Sequence, residues 1–414
     1  MSPRSHFTGI LEEKSKYKYL IHKDDKLKEL SLDDIQSGKT KLRTICMITW
    51  NEKKLAVSRW VSAKRTRSEP YARVYKTLAQ EKIPKATVIP IVKSEGIGGD
   101  TDYIAWDTFS ICSFLGVYVV AAYYSNAKES SKPKYKGTKI TSQEFDRDFL
   151  YDKFKSILTT NLTPQEWNEK ERSSLAETAY LAVKNYEKIS KETRVKINTD
   201  NLKTELEKFI DPEGYKNHSH KKSGRGQKAE TKTSHFLEDT FGFDKGTVTL
   251  SDSKGGYYPW TVDAVLRKGN VILLMEMKNT TISKTPSSGE IEDALFKFHF
   301  YANLREIKDE NGKKLKSIPI IILSSSVTSG CCFNTCPYFE PSIDPSSKCL
   351  TQNCNFDDMS KYNRYENLIQ KNDRIQMAFK EAALNNIIVI AVGKKNESEK
   401  ALTGILDYLV SKAI

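Results

Sequence analysis

Asp263, Glu276 and Lys278 are the residues of this chain whose types and spacing suit catalysis. They lie in the stretch 257–280, YYPWTVDAVLRKGNVILLMEMKNT, where two apolar, β-branched runs flank Gly269-Asn270. Such a pair between such runs predicts a β-hairpin closed by a two-residue turn. Lys268 then faces Val271, and counting outward sets Asp263 opposite Glu276. Side chains alternate along a strand, so Lys278 shares the face of Glu276. Val265, Ile272 and Leu274 fall on that acidic face, and Val262, Ala264, Leu266, Leu273, Met275 and Met277 on the other. Strands apolar on both faces are buried strands.

Two carboxylates opposed in a buried ladder repel each other. At ~5 Å and an effective dielectric of ~20 the repulsion is roughly 3 kcal/mol. Lys278 offsets part of it, and a divalent cation would offset more, because hard cations take carboxylate oxygens. A cation held by Asp and Glu beside a Lys suits phosphodiester hydrolysis: it stabilises charge on the phosphate and acidifies a water that the Lys positions. The competing reading is a structural acid–Lys pair near a strand end. Glu-x-Lys also occurs at Glu12/Lys14 and Glu52/Lys54. The weight therefore rests on the upstream Asp, the hairpin and the burial taken together.

Asp263, followed after twelve residues by Glu276-Met277-Lys278, resembles the PD-(D/E)xK nuclease superfamily, which includes most type II restriction endonucleases. That family usually places a proline just before its first acid; here Pro259 stands four residues upstream. The resemblance covers about residues 225–412. It implies an α/β (α+β) fold with a restriction-endonuclease-like core, a mixed central β-sheet flanked by helices. The implied activity is Mg2+-dependent, site-specific cleavage of double-stranded DNA that leaves 5′-phosphates. Asp263 and Glu276 would hold the metal with the Met277 backbone carbonyl, Lys278 would orient or activate the attacking water, and Glu230 on the first helix is a candidate third acid. A type II enzyme also implies a cognate DNA methyltransferase as a separate partner. Cutting both strands of a palindrome implies a homodimer by symmetry.

The elements that must position these residues follow the same order. Residues 227–241 read as an amphipathic helix ended by Gly242, and Thr247–Leu250 as a short strand before the hairpin. Residues 290–307 read as a long helix on which Lys297 and His299 are candidates to face the scissile strand. Ile318–Leu323 and Ile387–Val392 are expected as buried strands, and 363–383 and 398–413 as helices. The nuclease domain is expected over 216–414, with a Cys-rich insertion at 330–356. Within it Cys332, Cys336, Cys349 and Cys354 have the spacing C-x3-C-x12-C-x4-C, which approximates paired thiolate ligands for structural Zn2+. Cys331 can replace Cys332, and an iron–sulfur cluster or free thiols are the alternatives. The segment 216–228, KNHSHKKSGRGQK, reads as a linker or a DNA-facing loop, with Lys221, Lys222, Arg225 and Lys228 as phosphate contacts. His218 and His220 lack a partnered Cys or Asp nearby, and a metal role for them is the lesser reading.

Residues 1–215 form the other expected region, mixed α/β and then helical, assigned to target recognition and framing of the core. Strands are expected at 42–50, 54–60 and 86–92, and helices at 72–79, 142–158, 163–186 and 201–210. Arg59, Lys64, Arg65 and Arg67 beside Trp60 and Tyr71 are either phosphate contacts or a solvated basic face. The acids and glycines of 95–107 suggest a shaped loop, structural or cation-binding. The 414-residue chain holds 66 Lys+Arg against 53 Asp+Glu, a net charge of +13, which on a soluble chain favours a polyanionic partner, nucleic acid first. No apolar h-region opens the sequence, and 109–124, its longest apolar run, is too short for a confident membrane span, so a cytoplasmic protein without a membrane partner is expected. Two further readings remain: a repair or recombination nuclease on the same core, and a zinc-stabilised DNA-binding protein whose acids are structural.

Overall fold

The computed structural model describes residues 5–12, 17–63, 68–211, 213–219, 243–252, 256–327, 331–333, 373–393, 402, 403, 406 and 409. The chain is mixed α/β and divides into two compact units, one of residues 25–226 and one combining 1–24 with 227–414. The expected boundary lay at 215/216 with residues 1–24 in the first region. The structure instead joins those N-terminal residues to the sheet that holds Asp263 and Glu276. The reason is β1 (Ser5–Leu11), which pairs in parallel with β2 (Asp244–Ser251), from Ser5↔Gly246 to Ile10↔Ser251.

The unit carrying the site is built on a meander. β2 pairs antiparallel with β3 (Tyr257–Lys268), and β3 with β4 (Val271–Thr280). The turn between β3 and β4 is Gly269-Asn270, with Gly269 at φ +64° and Asn270 not in the positive region, the φ pattern of a type II′ turn. Helix α1 (Ser288–Ala302) follows, opened by a reciprocal capping box between Ser287 and Glu290. The chain then returns through β5 (Leu304–Asp309) to β6 (Lys314–Ser325), which runs parallel to β4 from Val271↔Lys316 to Thr280↔Ser325. β5 pairs with both β1 and β6, so β1 to β6 close into a ring of pairings. β8 (Ile388–Gly393) extends the sheet in parallel from β6, and β7 (Cys331–Phe333) pairs antiparallel with β8. Helix α2 (Asp373–Leu384) precedes β8.

The helix expected over 290–307 therefore ends at Ala302. Asn303 caps it, and Leu304–Asp309 takes the strand pairing that β1 offers. The face of β4 predicted to be purely apolar packs as expected: Ala264, Leu273 and Met275 join Ile320 and Ile322 of β6, Ile388, Ile390 and Val392 of β8, and Leu402, Leu406 and Leu409. The opposite face is covered by α1, where Trp260 lies 5.9 Å from Phe296 and 5.3 Å from Phe300 between ring centroids. Residues 17–22 are strapped to the helices. Glu381 of α2 accepts the Leu20 and Ile21 backbone N–H groups at 2.6 and 2.8 Å. Tyr19 Oη bonds His299 Nδ1 at 3.1 Å, and His22 Nε2 lies 3.2 Å from Glu292 of α1.

The unit 25–226 has a five-stranded sheet in the order Glu29–Ser31, Ile45–Trp50, Lys53–Arg59, Lys85–Pro90, Val117–Ala122. Its last strand is an edge whose outer backbone groups are met by side chains of the helix Pro164–Ser173. Asn168 accepts from Val119 N at 2.6 Å and donates to Val117 O at 2.9 Å, and Trp167 Nε1 donates to Val119 O at 2.8 Å. This answers the unpaired edge that an open sheet otherwise presents. The helix expected from residue 142 begins at Arg147, because Asp146 caps it by accepting from Phe149 N, and Ile140–Phe145 is a strand. The helix expected over 163–186 breaks at Ser174 into Pro164–Ser173 and Leu175–Thr193. The apolar run 109–124 divides at Gly116, φ +66°, into a helix end and the strand Val117–Ala122. Among the described residues no helix is long and apolar enough to cross a membrane.

Candidate functional site

Asp263 reaches the site through a defect in the ladder. Between β2 and β3 the register slips: Asp244 faces Val265, but Gly246 faces Val262. Two steps on β2 thus span three on β3, a β-bulge at residues 262–265, of the kind that re-aims a side chain. Gly246 makes room for it. A Cβ there would stand 2.5 Å from Val265 Cγ1 and 2.8 Å from Val262 Cγ2. The β3–β4 ladder accordingly ends at Ala264↔Met275. Counting outward set Asp263 opposite Glu276, but the two are not ladder partners. The Asp263 carboxylate instead takes the place of a backbone acceptor, receiving the Met277 N–H at 2.9 Å. The N–H and C=O of one strand residue leave the strand on the same side, so the Met277 carbonyl also emerges beside Asp263.

Glu276 and Lys278 share a face of β4, as expected, and α1 brings two further groups down onto them. Lys278 Nζ lies 3.3 Å from Glu276 Oε1 and 2.8 Å from Asp293 Oδ2. Lys297 Nζ contacts Glu276 Oε2, both side chains being 8% exposed. The four groups form a chain of alternating sign, Asp293, Lys278, Glu276, Lys297. Burial works to raise the Glu276 titration, but Lys297 and then Lys278 outweigh it and hold the carboxylate below its ordinary value. Burial works against the charged form of Lys278, yet Glu276 and Asp293 prevail and raise it above its ordinary value, so it is an ammonium and a donor.

Asp293 and Tyr301 were not singled out by sequence reasoning, and Lys297 was named without a partner. The available signal was spacing: residues 293, 297 and 301 recur every four and so line one helix face. Tyr301 is buried, and its phenol is raised well above its ordinary value by burial and then by Glu276. His299, two positions from Lys297, points elsewhere. It is 2% exposed and packs against Tyr17 with centroids 4.6 Å apart, so it takes no part in the cluster.

The other candidates do not join this site among the described residues. Glu230, Lys221, Lys222, Arg225, Lys228 and His220 lie outside the described residues, as do Cys336, Cys349 and Cys354; of Cys332 only the backbone, in β7 opposite Ala391, is described. His218 lies 3.7 Å from Glu205. Of the four acids of 95–107, Glu95 pairs with Lys93 and Lys139, Asp102 bonds Ser62, and fully buried Asp107 bonds Ser219. Trp60 is fully buried against Tyr71, while Lys64, Arg65 and Arg67 lie outside the described residues. Among the described residues no group of three or more His, Cys, Asp and Glu side chains is placed to hold a metal ion. No protein-family model, no curated protein and no solved structure matches the chain.

Proposed function

We propose that this protein is a Mg2+-dependent, site-specific endonuclease of double-stranded DNA, with a restriction-endonuclease-like core of the PD-(D/E)xK type. The observation that carries the reading is that Asp263, held on the Met277 N–H where the ladder slips, lies near enough to act on Lys278, which pairs with Glu276 on the same face of β4. The order of a meander, a helix and then a strand parallel to the last meander strand supports the core that the resemblance implies. The net charge of +13 supports a polyanionic partner.

The donor set suits Mg2+ by chemistry. Two carboxylates and a strand carbonyl are hard oxygen donors. Asp263 and Glu276 would hold the ion, with the Met277 carbonyl beside them. When bound, the ion supplies charge stabilisation at the phosphate and acidifies a water. The chain's own residues do the rest. Asp263 is fixed by the Met277 N–H, which sets its carboxylate relative to β4. Lys278, kept charged and anchored by Asp293, presents a donor that orients the attacking water and the phosphate oxygen. Cleavage leaves a 5′-phosphate. A type II restriction role, with a homodimer acting on a palindrome and a separate cognate methyltransferase, is the form of this activity we favour.

Incubation of the protein with plasmid DNA, in Mg2+ and in EDTA, tests the proposal on a gel. Discrete Mg2+-dependent fragments are expected, and Lys278→Ala should abolish them while leaving specific DNA binding. Cleavage by that variant at the wild-type rate would remove Lys278 from the chemistry. A second reading is favoured by one observation: both oxygens of Glu276 are already engaged by lysines. If that network is purely structural, the protein binds DNA without regard to Mg2+ and never nicks it.

A further inference from the structure

Lys297 occupies an unusual place. It sits in the run Phe296-Lys297-Phe298-His299-Phe300, among buried aromatic side chains, and is itself buried. A lysine there is not part of a solvated face, and burying an ammonium is costly unless it is paired. Its partner is Glu276 Oε2, and its ammonium lies 6.0 Å from the centroid of the Trp260 ring.

The two lysines on Glu276 are not equivalent. Lys278 has a second carboxylate, Asp293, at 2.8 Å, and stays paired if Glu276 turns to another cation. For Lys297, Glu276 is the one ion-pair partner among the described residues. A divalent cation taking Glu276 Oε2 must therefore displace Lys297 and leave its ammonium with only the longer-range attraction of Asp293, which Lys278 already holds.

We infer that Lys297 is a positioning residue that makes metal binding depend on nucleic acid: its ammonium competes with a divalent cation for Glu276, and a backbone phosphate draws it away. The inference rests on Asp263 and Glu276 being metal ligands. Its consequence is positive coupling between cation and DNA, reciprocal by linkage. The DNA-free protein binds a divalent cation weakly, and DNA raises that affinity. Removing the ammonium raises it without DNA, since a like charge beside the ion is lost.

The test is Mn2+ binding to the full-length protein without DNA, followed by calorimetry and by the signal of free Mn2+ in electron paramagnetic resonance. Lys297→Met should bind Mn2+ about tenfold or more tightly than wild type, and Lys297→Arg should bind like wild type. The gain should vanish in Glu276→Gln/Lys297→Met. A short duplex should tighten Mn2+ binding to the wild type far more than to Lys297→Met. Lys297→Gln decides the matter if the Met variant does not fold. The inference is overturned if folded Lys297→Met or Lys297→Gln binds no more tightly than wild type. It is equally overturned if Lys297→Arg gains as much as Lys297→Met, if the gain survives loss of Glu276, or if a short duplex tightens Mn2+ binding to wild type no more than to Lys297→Met. A wild type that never cleaves DNA, alongside a Glu276-dependent gain in Lys297→Met, removes the nuclease reading and leaves this one standing.

Discussion

Replacing Glu276 by Gln should destabilise the unit 1–24 with 227–414 whatever the protein does to DNA. At 3.3 Å and an effective dielectric of ~20, Lys278 alone attracts the carboxylate by ~5 kcal/mol, and Lys297, in closer contact, contributes at least as much. Desolvation of the buried charges cancels much of this. What remains on breaking such a pair is ~3–5 kcal/mol, because a charge is left buried without its partner. The group left without a contacting carboxylate is Lys297, which Asp293 reaches only at longer range, since Lys278 retains Asp293. Against a total stability of ~5–15 kcal/mol this is a large fraction. Adding Lys297→Met to Glu276→Gln removes the stranded ammonium and should recover ~2 kcal/mol, a coupling within the range for side chains in contact. Hydrogen exchange of the α1 amides in EDTA reads this unit separately from residues 25–226 and without any metal. A Glu276→Gln variant within ~0.5 kcal/mol of wild type, or a double variant no more stable than the single, would show that the alternating chain of charges is solvated and contributes nothing.

Gly246→Ala should cost ~1–3 kcal/mol by overpacking against Val262 and Val265; it should also unseat the bulge, seen as faster exchange of the Met277 amide and lower cleavage activity, with DNA binding retained. Burial pushes His299 from 6.5 down to about 3, so the unfolded chain binds its proton first; stability is intact above pH 6.5 and falls by ~1.4 kcal/mol per pH unit below it, toward pH 3. His299→Gln should abolish that component, and equal slopes between pH 6.5 and 5 in the urea midpoints of wild type and variant would contradict it. Asn168→Ala strips the edge strand of an acceptor for Val119 N–H and a donor for Val117 C=O; the loss should be ~2–4 kcal/mol in urea unfolding of the unit 25–226, with the partial mimic Asn168→Asp falling between.

The hairpin was legible because its signals are local. A Gly-Asn turn and alternating faces fix a two-stranded register without help from the rest of the chain, and Lys268↔Val271 through Ala264↔Met275 follow from it. Counting failed one residue later, at Asp263, because a bulge has no signature in the strand that carries it. Its cause sits on the neighbouring strand, in the missing side chain of Gly246. The return of β5 failed for a related reason. Residues 304–307 continue a helical pattern when read alone, and become a strand because β1, some three hundred positions away in sequence, offers them a partner.

The helical half of the site shows what spacing alone can and cannot decide. Lys297 and His299 were paired as candidates although residues two apart on a helix cannot face one point. The structure separates them as that rule demands, Lys297 to Glu276 and His299 to Tyr19. Asp293 and Tyr301, at four-residue steps from Lys297, were the companions the period allowed. Their choice needed one further fact, that β4 presents two charged residues to α1 and not an apolar surface. A buried Glu276 between a buried Lys297 and a half-buried Lys278 is costly to build and easy to replace with aliphatic packing, which the other face of the same strand already shows. Its retention on the face covered by α1 is therefore the physical reason to look for function there, and Lys297 is the residue whose removal separates a cation site from a mere ion pair.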